Sequence, residues 1–485
     1  MDKHPSSHNR IESASTTPPL SPLTLLPPVK FFFLVLFLAC CHAAPLQAQL
    51  KPLSIGHIND GGNAYALALS GHYACLANYD DGFRIYDISN PANPVTVGHT
   101  NNAGTAQAIA ISGKYACLAN GADGLRVYDI SVPSNPVNIG HVATTDNALG
   151  IATFNNYAYL TTDIDGLSIY NLANPAAPLL VGRTTNNYSG IAFTVATTGR
   201  YAYLANQGDG LRVYDTLNPA NLLNVGYNYD NGVPFGLALS GNYLYLADGF
   251  DGFRTYDLSN PAHPFNVGHA YIPAGTAYGV TVSGNYAFLA NFDDGLHLYD
   301  ISNPANPRHI ASTNNGGFAR AIAISGSYAY LANGSDGLRT YLLVPQLAIT
   351  RTGPASATLT WPGPTADFAL QKNTALGGAN WIPVTNTPAF ISAQNQVTLS
   401  PLAGNVAFRL KLQPPVPQLA IKLSAPNTAF ITWSAGFPGY TLQQNANPTA
   451  TSWTNVTNPT QLVSGEYRVT ISPLPGTRLY RLKAP

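Results

Sequence analysis

The chain has 485 residues, with 23 basic and 23 acidic side chains and no formal net charge at pH 7. Charged residues make up 9%, against about 25% in ordinary soluble domains, and 45% are hydrophobic; this excludes general disorder and, without a broad basic field, non-specific nucleic-acid binding. With 43 Gly, 38 Pro and 28 Tyr, the composition points to an all-β chain rich in tight turns, and the length suggests about three folding units.

Residues 1–48 read as a leader. Lys30 precedes the apolar run FFFLVLFLA at 31–39, and Leu46-Gln47-Ala48 places cleavage after Ala48. The n-region is unusually long and Ser/Pro-rich, and Val29-Lys30 offers an alternative start. The apolar run is too short to span a bilayer, which needs about 20 residues. The rival lipoprotein reading, at Phe37-Leu38-Ala39-Cys40, puts Leu at −2 rather than −3. The expected destination is the extracellular space, the cell surface or the periplasm, with no transmembrane segment in the mature chain.

An internal repeat follows over residues 49–344. Asp-Gly-[Phe/Leu] recurs at Asp81, Asp123, Asp165, Asp209, Asp251, Asp294 and Asp336, at intervals of 42–44 residues. Each copy holds four short apolar runs; in the second they are AQAIAIS (106–112), YACLAN (115–120), GLRVYDIS (124–131) and PVNIGHV (136–142). Ser-Gly, Asp-Gly and paired prolines separate them, which predicts an antiparallel meander with Asp-Gly supplying the positive φ of a two-residue hairpin. Four strands per 40–45 residues predict a β-propeller blade. The seventh copy lacks its fourth run, and an orphan fourth run, PLSIGHI (52–58), precedes the first copy. The N-terminal strand therefore completes the last blade of a seven-bladed ring.

The phrases FRIYDIS, LRVYDIS and LHLYDIS resemble the LVIVD repeat of bacterial and archaeal surface proteins over about residues 52–344. The resemblance implies an exported propeller and no fixed chemistry. Here Tyr86, Tyr128, Tyr170, Tyr214, Tyr256, Tyr299 and Tyr341 stand where the motif has its second Val.

Residues 345–413 and 414–485 form a second repeat, at an offset of 72, with Trp361 and Trp381 recurring as Trp433 and Trp453. Alternating apolar and polar runs predict two small β-sandwiches, each with a core Trp. They resemble fibronectin type III or immunoglobulin-like modules. The linker Gln413-Pro414-Pro415-Val416-Pro417 is expected to be extended.

Candidate chemistry is sparse. Histidines 57, 99, 141 and 269 fall on outermost strands of different blades, too far apart to share a metal. The seven turn aspartates serve their turns; the doublets Asp80-Asp81 and Asp293-Asp294 are weak calcium candidates. Cys75 and Cys117 occupy equivalent points of successive repeats, beyond disulfide reach, and read as buried thiols. No nucleophile elbow, Walker loop, zinc-protease motif or Cys-x-x-Cys appears, and Glu466 is the single Glu after the leader. The expectation is an exported, non-catalytic, monomeric interaction platform without cofactor or metal, facing a protein or glycan. The alternative is a secreted carbohydrate- or polymer-active hydrolase or lyase.

One position breaks the uniformity of the repeat. The residue just before the innermost strand varies as Tyr65, Gln107, Leu149, Ser189, Phe235, Tyr278 and Arg320, while the next residue is always Ala or Gly. Tyr65, Gln107, Phe235, Tyr278 and Arg320 are thus expected to line a ligand site at the channel mouth.

Overall fold

The apolar runs of a repeat are five to nine residues long, so each strand is short and no repeat can cover both faces of its own sheet. In the first copy, the chain forms β1 (Leu50–Ile58), β2 (Ala66–Ser70), β3 (Tyr73–Ala77), β4 (Phe83–Asp87) and β5 (Val95–Thr100). Strands β2 to β5 make one antiparallel four-stranded sheet, and six further four-stranded sheets follow from the other repeats. The computed structural model describes residues 50–485 apart from 102, 165, 185–189, 230–231, 273, 315, 363–366, 375–379, 392–393, 403–405, 414–418, 426, 435–439, 447–451, 464–465, 474–477 and 484–485; the leader, Asp165, Ser189 and most of the proline linker lie outside the described residues. Among the described residues, no helix is long and apolar enough to cross a membrane.

The sheets form a closed ring. Each innermost strand touches the next, through Ala66–Ser70, Ala108–Ser112, Ala148–Phe154, Ile191–Thr197, Gly236–Ser240, Gly279–Ser283 and Ala321–Ser325, and the last touches the first. The seventh sheet is completed by β1, which runs antiparallel to Leu338–Pro345 with Leu50 opposite Pro345 and Ile58 opposite Leu338. The small residue expected at the head of each inner strand holds that place in five blades. In the third blade the strand starts at Ala148, because a bulge between Ala148 and Gly150 inserts Leu149. In the fourth it starts at Ile191, one residue after Gly190.

Adjacent blades share each core. Cys75, Ala77, Phe83 and Ile85 of the first blade pack on Ala106, Ile109, Leu118 and Tyr128 of the second. The seven tyrosines of the YDIS-type phrases are all buried at these seams. Cys75 and Cys117 are free and fully buried, and burial pushes each thiol up to about 12.

The Gly before the fourth-strand His has a steric origin. A Cβ on Gly98 would overlap the carbonyl oxygen of Pro133 in the next blade, and one on Gly140 that of Pro175. The seventh blade has no Asn-Pro loop, since its third strand runs on to Pro345. The sixth blade, which packs against it, carries Ala311 at the equivalent place.

After the ring come two units of identical strand order. In the first, the sheet of Ala348–Gly353, Ser356–Pro362, Gln394–Leu399 and Ala389–Ile391 faces the sheet of Ile382–Pro383, Phe368–Asn373 and Ala407–Leu412. Leu359, Trp361 and Val397 from one sheet meet Leu370 and Phe408 from the other. In the second unit, Trp433, Ile431 and Val469 pack with Leu442. The other two tryptophans are half-buried beneath arginines, with Arg409 4.3 Å above Trp381 and Arg481 4.5 Å above Trp453.

Two outcomes follow from this packing. Deleting residues 50–58 exposes the edge of Leu338–Pro345; cooperative thermal unfolding is lost or the protein aggregates, more severely than on deleting 415–485. Melting like the full chain would refute closure by β1. Gly140→Ala lowers stability by about 1–3 kcal/mol, whereas Ala311→Gly changes it by less than about 1 kcal/mol, as read by denaturant unfolding.

Candidate functional site

The loop between second and third strands is longer than the expected two-residue hairpin. It runs Asn78-Tyr79-Asp80-Asp81-Gly82, and its positive φ values fall on Tyr79 and Gly82, not on Asp81. Asp81 instead organises a side-chain network. Asn78 Nδ2 donates to Asp81 Oδ2 at 2.8 Å, the Arg84 guanidinium donates to the same oxygen, and His99 Nε2 lies 2.9 Å from the Asp81 carbonyl oxygen. Burial pushes the Asp81 carboxyl up, but the hydrogen bonds from Arg84 and Asn78 and the nearby positive charge outweigh it and hold the carboxyl below its ordinary value. Asp123 and Asp336 are held down in the same way, by Arg126 with Asn120 and by Arg339 with Asn333.

This corner recurs with substitutions. Arg212 grips Asp209, and Arg254 bridges Asp248 and Asp251. His141, His269 and His57 reach the carbonyl oxygens of Asp123, Asp251 and Asp336 at 2.8, 2.7 and 2.6 Å. The calcium candidates divide. Asp81 and Asp294 are taken by Arg84 and His297, while Asp80 and Asp293 are exposed and their carbonyls accept from Asn101 and Asn314. Among the described residues, no three His, Cys, Asp or Glu are grouped to hold a metal ion.

The sixth blade replaces the arginine by His297, which is 7% exposed. Its Nε2 is 2.8 Å from Asp294 Oδ2, and its ring centre is 5.1 Å from that of His309. Burial pushes the pKa of His297 down, against the opposing pull of Asp294. The third blade has Thr162 and Ser168 for the Asn and Arg, and beside them, with Arg183, lies a cavity of about 120 Å³. That is well below the roughly 300–1,000 Å³ of a ligand pocket.

At the mouth, the structure brings four of the five expected residues together. Tyr65 stacks on Tyr79 with centroids 4.6 Å apart, and Phe235 stacks on Tyr278 at 4.4 Å. The Arg320 guanidinium lies 4.0 Å above Tyr65, 5.2 Å from Tyr278 and 5.3 Å from Phe292. Burial pushes the Tyr65 hydroxyl up, opposed by Arg320. Gln107 stands apart: its side chain donates to Thr105 and makes no ring contact among the described residues.

Four aromatic residues outside the expected set extend the arc. Phe193 meets Phe235 edge-on at 5.0 Å, Phe292 stacks on Tyr278 at 5.3 Å and on Phe318 at 4.6 Å, and Tyr79 completes the other end. Tyr79 and Phe292 had a visible signal. They occupy the loop position that is Gly121, Gly249 and Gly334 in sister repeats, and they share the left-handed backbone of those glycines, at φ 52° and 43° against 60°. All five make the same bridge to an alanine of the neighbouring blade, as in Tyr79 with Ala106 and Gly121 with Ala148. The bridge itself therefore does not require an aromatic side chain.

The chain matches the profile of the LVIVD repeat seven times, over residues 61–102, 103–144, 147–186, 189–230, 234–270, 274–314 and 316–339, more than half its length. No curated protein matches it. Among solved structures it is similar to the Cps50 (Swd1) β-propeller domain of Myceliophteria thermophila, at 12% identity over 60% of this chain and 99% of that one, with a TM-score of 0.51. BamB from Moraxella catarrhalis is 13% identical over 62% of this chain and 95% of its own, with a TM-score of 0.43. At such identities a likeness speaks to fold alone, and the first supports the propeller.

The sixth-blade corner generates a pH dependence. A histidine held below its unfolded value of about 6.5 stabilises the fold above that pH and withdraws the stability as pH falls through the folded value. Its charged and titrating neighbours are Asp294 and His309. His297→Arg, the sister-blade residue, makes the loss of melting temperature between pH 7.5 and 5 shallower. An identical acid slope in both proteins would sink this reading.

Proposed function

We propose that this chain, which belongs to the LVIVD-repeat family, is an exported, non-catalytic interaction platform whose ligand docks on the aromatic arc at the propeller mouth. One observation carries the reading. Tyr79 and Phe292 sit in left-handed backbone where three sister repeats use glycine. Such strain costs about 1–3 kcal/mol; the stack of Tyr79 on Tyr65 recovers about 0.5–1.5 kcal/mol, and the two stacks of Phe292, on Tyr278 and Phe318, recover about twice that. Glycine makes the same bridge at this position in three sister repeats, so the fold does not call for a ring there, and the rings serve for what they present to a ligand.

Further features support the parts of this reading. The leader over residues 1–48 supports export to the surface, the periplasm or the extracellular space. The six described turn aspartates, which a hydrolase or lyase would recruit, are engaged by arginine, asparagine and histidine of their own blade. The two C-terminal units, with facing sheets around Trp361 and Trp433, act as β-sandwich spacers of fibronectin type III or immunoglobulin type. The partner, a protein or a glycan, meets a monomeric propeller.

The test uses the sister-repeat residue. Tyr79→Gly with Phe292→Gly leaves melting within roughly 4 °C of the parent and abolishes retention on those members of a peptide and polysaccharide array that the parent binds. Retention unchanged in the double variant would exclude the mouth as the binding site. Product release from the array that survives stringent purification would overturn the non-catalytic reading.

A further inference from the structure

Arg320 differs from the arginines that recur two residues after the loop Gly in five of the repeats. Arg84, Arg126, Arg212, Arg254 and Arg339 each pair with an aspartate of their own blade. Arg320 is the one charged residue among the seven that precede the inner strands. It is enclosed by Tyr65, Tyr278 and Phe292, and its Nε–H is buried with no acceptor among the described residues. Ring faces attract a cation, but they offer its N–H groups no conventional acceptor. A buried donor left unmatched in this way is costly, and a guanidinium fork is shaped to take a carboxylate through two parallel hydrogen bonds.

The surroundings say what should carry that carboxylate. A pyranose ring docks on an open aromatic face, and the three rings around Arg320 have their faces occupied. Tyr65 lies between Tyr79 and Arg320, Tyr278 between Phe235 and Phe292, and Phe292 between Tyr278 and Phe318. The loops at the same end of the blades expose apolar side chains instead: Ile164 at 68%, Phe250 at 74%, Tyr271 at 67% and Phe318 at 41%. These give the side chains of a polypeptide apolar surface to pack on beside the Arg320 site.

We infer that the mouth takes an acidic peptide segment of a protein partner, with Arg320 anchoring a side-chain or terminal carboxylate. The inference rests on the mouth being the binding site, as proposed above. It names the ligand chemistry, the anchoring residue and the class of partner.

A displayed library of random heptapeptides is selected on the full chain and, separately, on Arg320→Gln; oligogalacturonate is titrated in parallel as an acidic glycan. The parent enriches Asp or Glu, and a synthetic peptide of the selected sequence binds about tenfold or more weaker to Arg320→Gln. Replacing the peptide's Glu by Gln weakens binding to the parent similarly and has little further effect on the variant, as a direct pair requires. Arg320→Lys recovers part of the affinity; together with the Glu-to-Gln peptide it decides the matter if Arg320→Gln melts early.

Peptides without acidic residues, or binding indifferent to Arg320, overturn the inference. So does Arg320-dependent binding of oligogalacturonate with no peptide selected. The Tyr79→Gly/Phe292→Gly variant separates the two readings. Peptide binding lost there but indifferent to Arg320 leaves the mouth as the site and removes the carboxylate anchor; binding retained there removes both.

Discussion

Each blade of this protein buries its apolar side chains against its neighbours, because a single four-stranded sheet has two faces and covers neither. The core cluster that joins Phe83 and Ile85 to Leu118 and Tyr128 is a seam between blades, not the interior of one. Stability is therefore a property of the closed ring, and every position at a seam is constrained twice, by its own sheet and by the next. The pairing of Gly98 and Gly140 with the next blade's proline carbonyls expresses that constraint at the level of single atoms. Ala311 appears in the one blade whose successor lacks the proline loop, so the glycine follows the neighbour and not the strand that carries it.

The polar corners obey a similar economy. A carboxylate lodged at a loop between two strands needs donors, and the repeat provides Asn, Arg and His from three nearby chain positions. Where one donor changes, the others adjust: Asp248 joins Asp251 on Arg254, and His297 stands in for an arginine beside Asp294. Aspartates committed in this way shape the blade edge. The mouth is the part of the ring where the packing rule is relaxed, and the arc of rings and one arginine is concentrated there.

Much of this architecture was legible in the residues because a repeat supplies its own comparison. Seven copies of Asp-Gly, a missing last strand and the orphan PLSIGHI together specify the ring and its closure. The convergence of Tyr65, Phe235, Tyr278 and Arg320 was readable from variation at one register position. Gln107 follows the same register, but its side chain turns to Thr105 and makes no ring contact among the described residues. Phe193, Phe318, Tyr79 and Phe292 come from other registers, so a search along one column of the repeat misses them. The doublets Asp80-Asp81 and Asp293-Asp294 drew attention to carboxylates, when the informative residue was the aromatic preceding each. Asp-Gly in the five-residue loop imitates the signal of a two-residue hairpin, and only the backbone shows the positive φ at Tyr79.

Closure by β1 also fixes the order in which the protein can be assembled. His57 meets Asp336 across 279 residues of chain. At a synthesis rate of about 5–20 residues per second, that interval is roughly 14–56 s. Throughout it β1 lacks its mate Leu338–Pro345, and Leu50, which ends 5% exposed, lacks Pro345 opposite it. The ring is thus finished by the strand that is made before all its other strands, and the vulnerable period of its biogenesis is the wait of that strand for its mate.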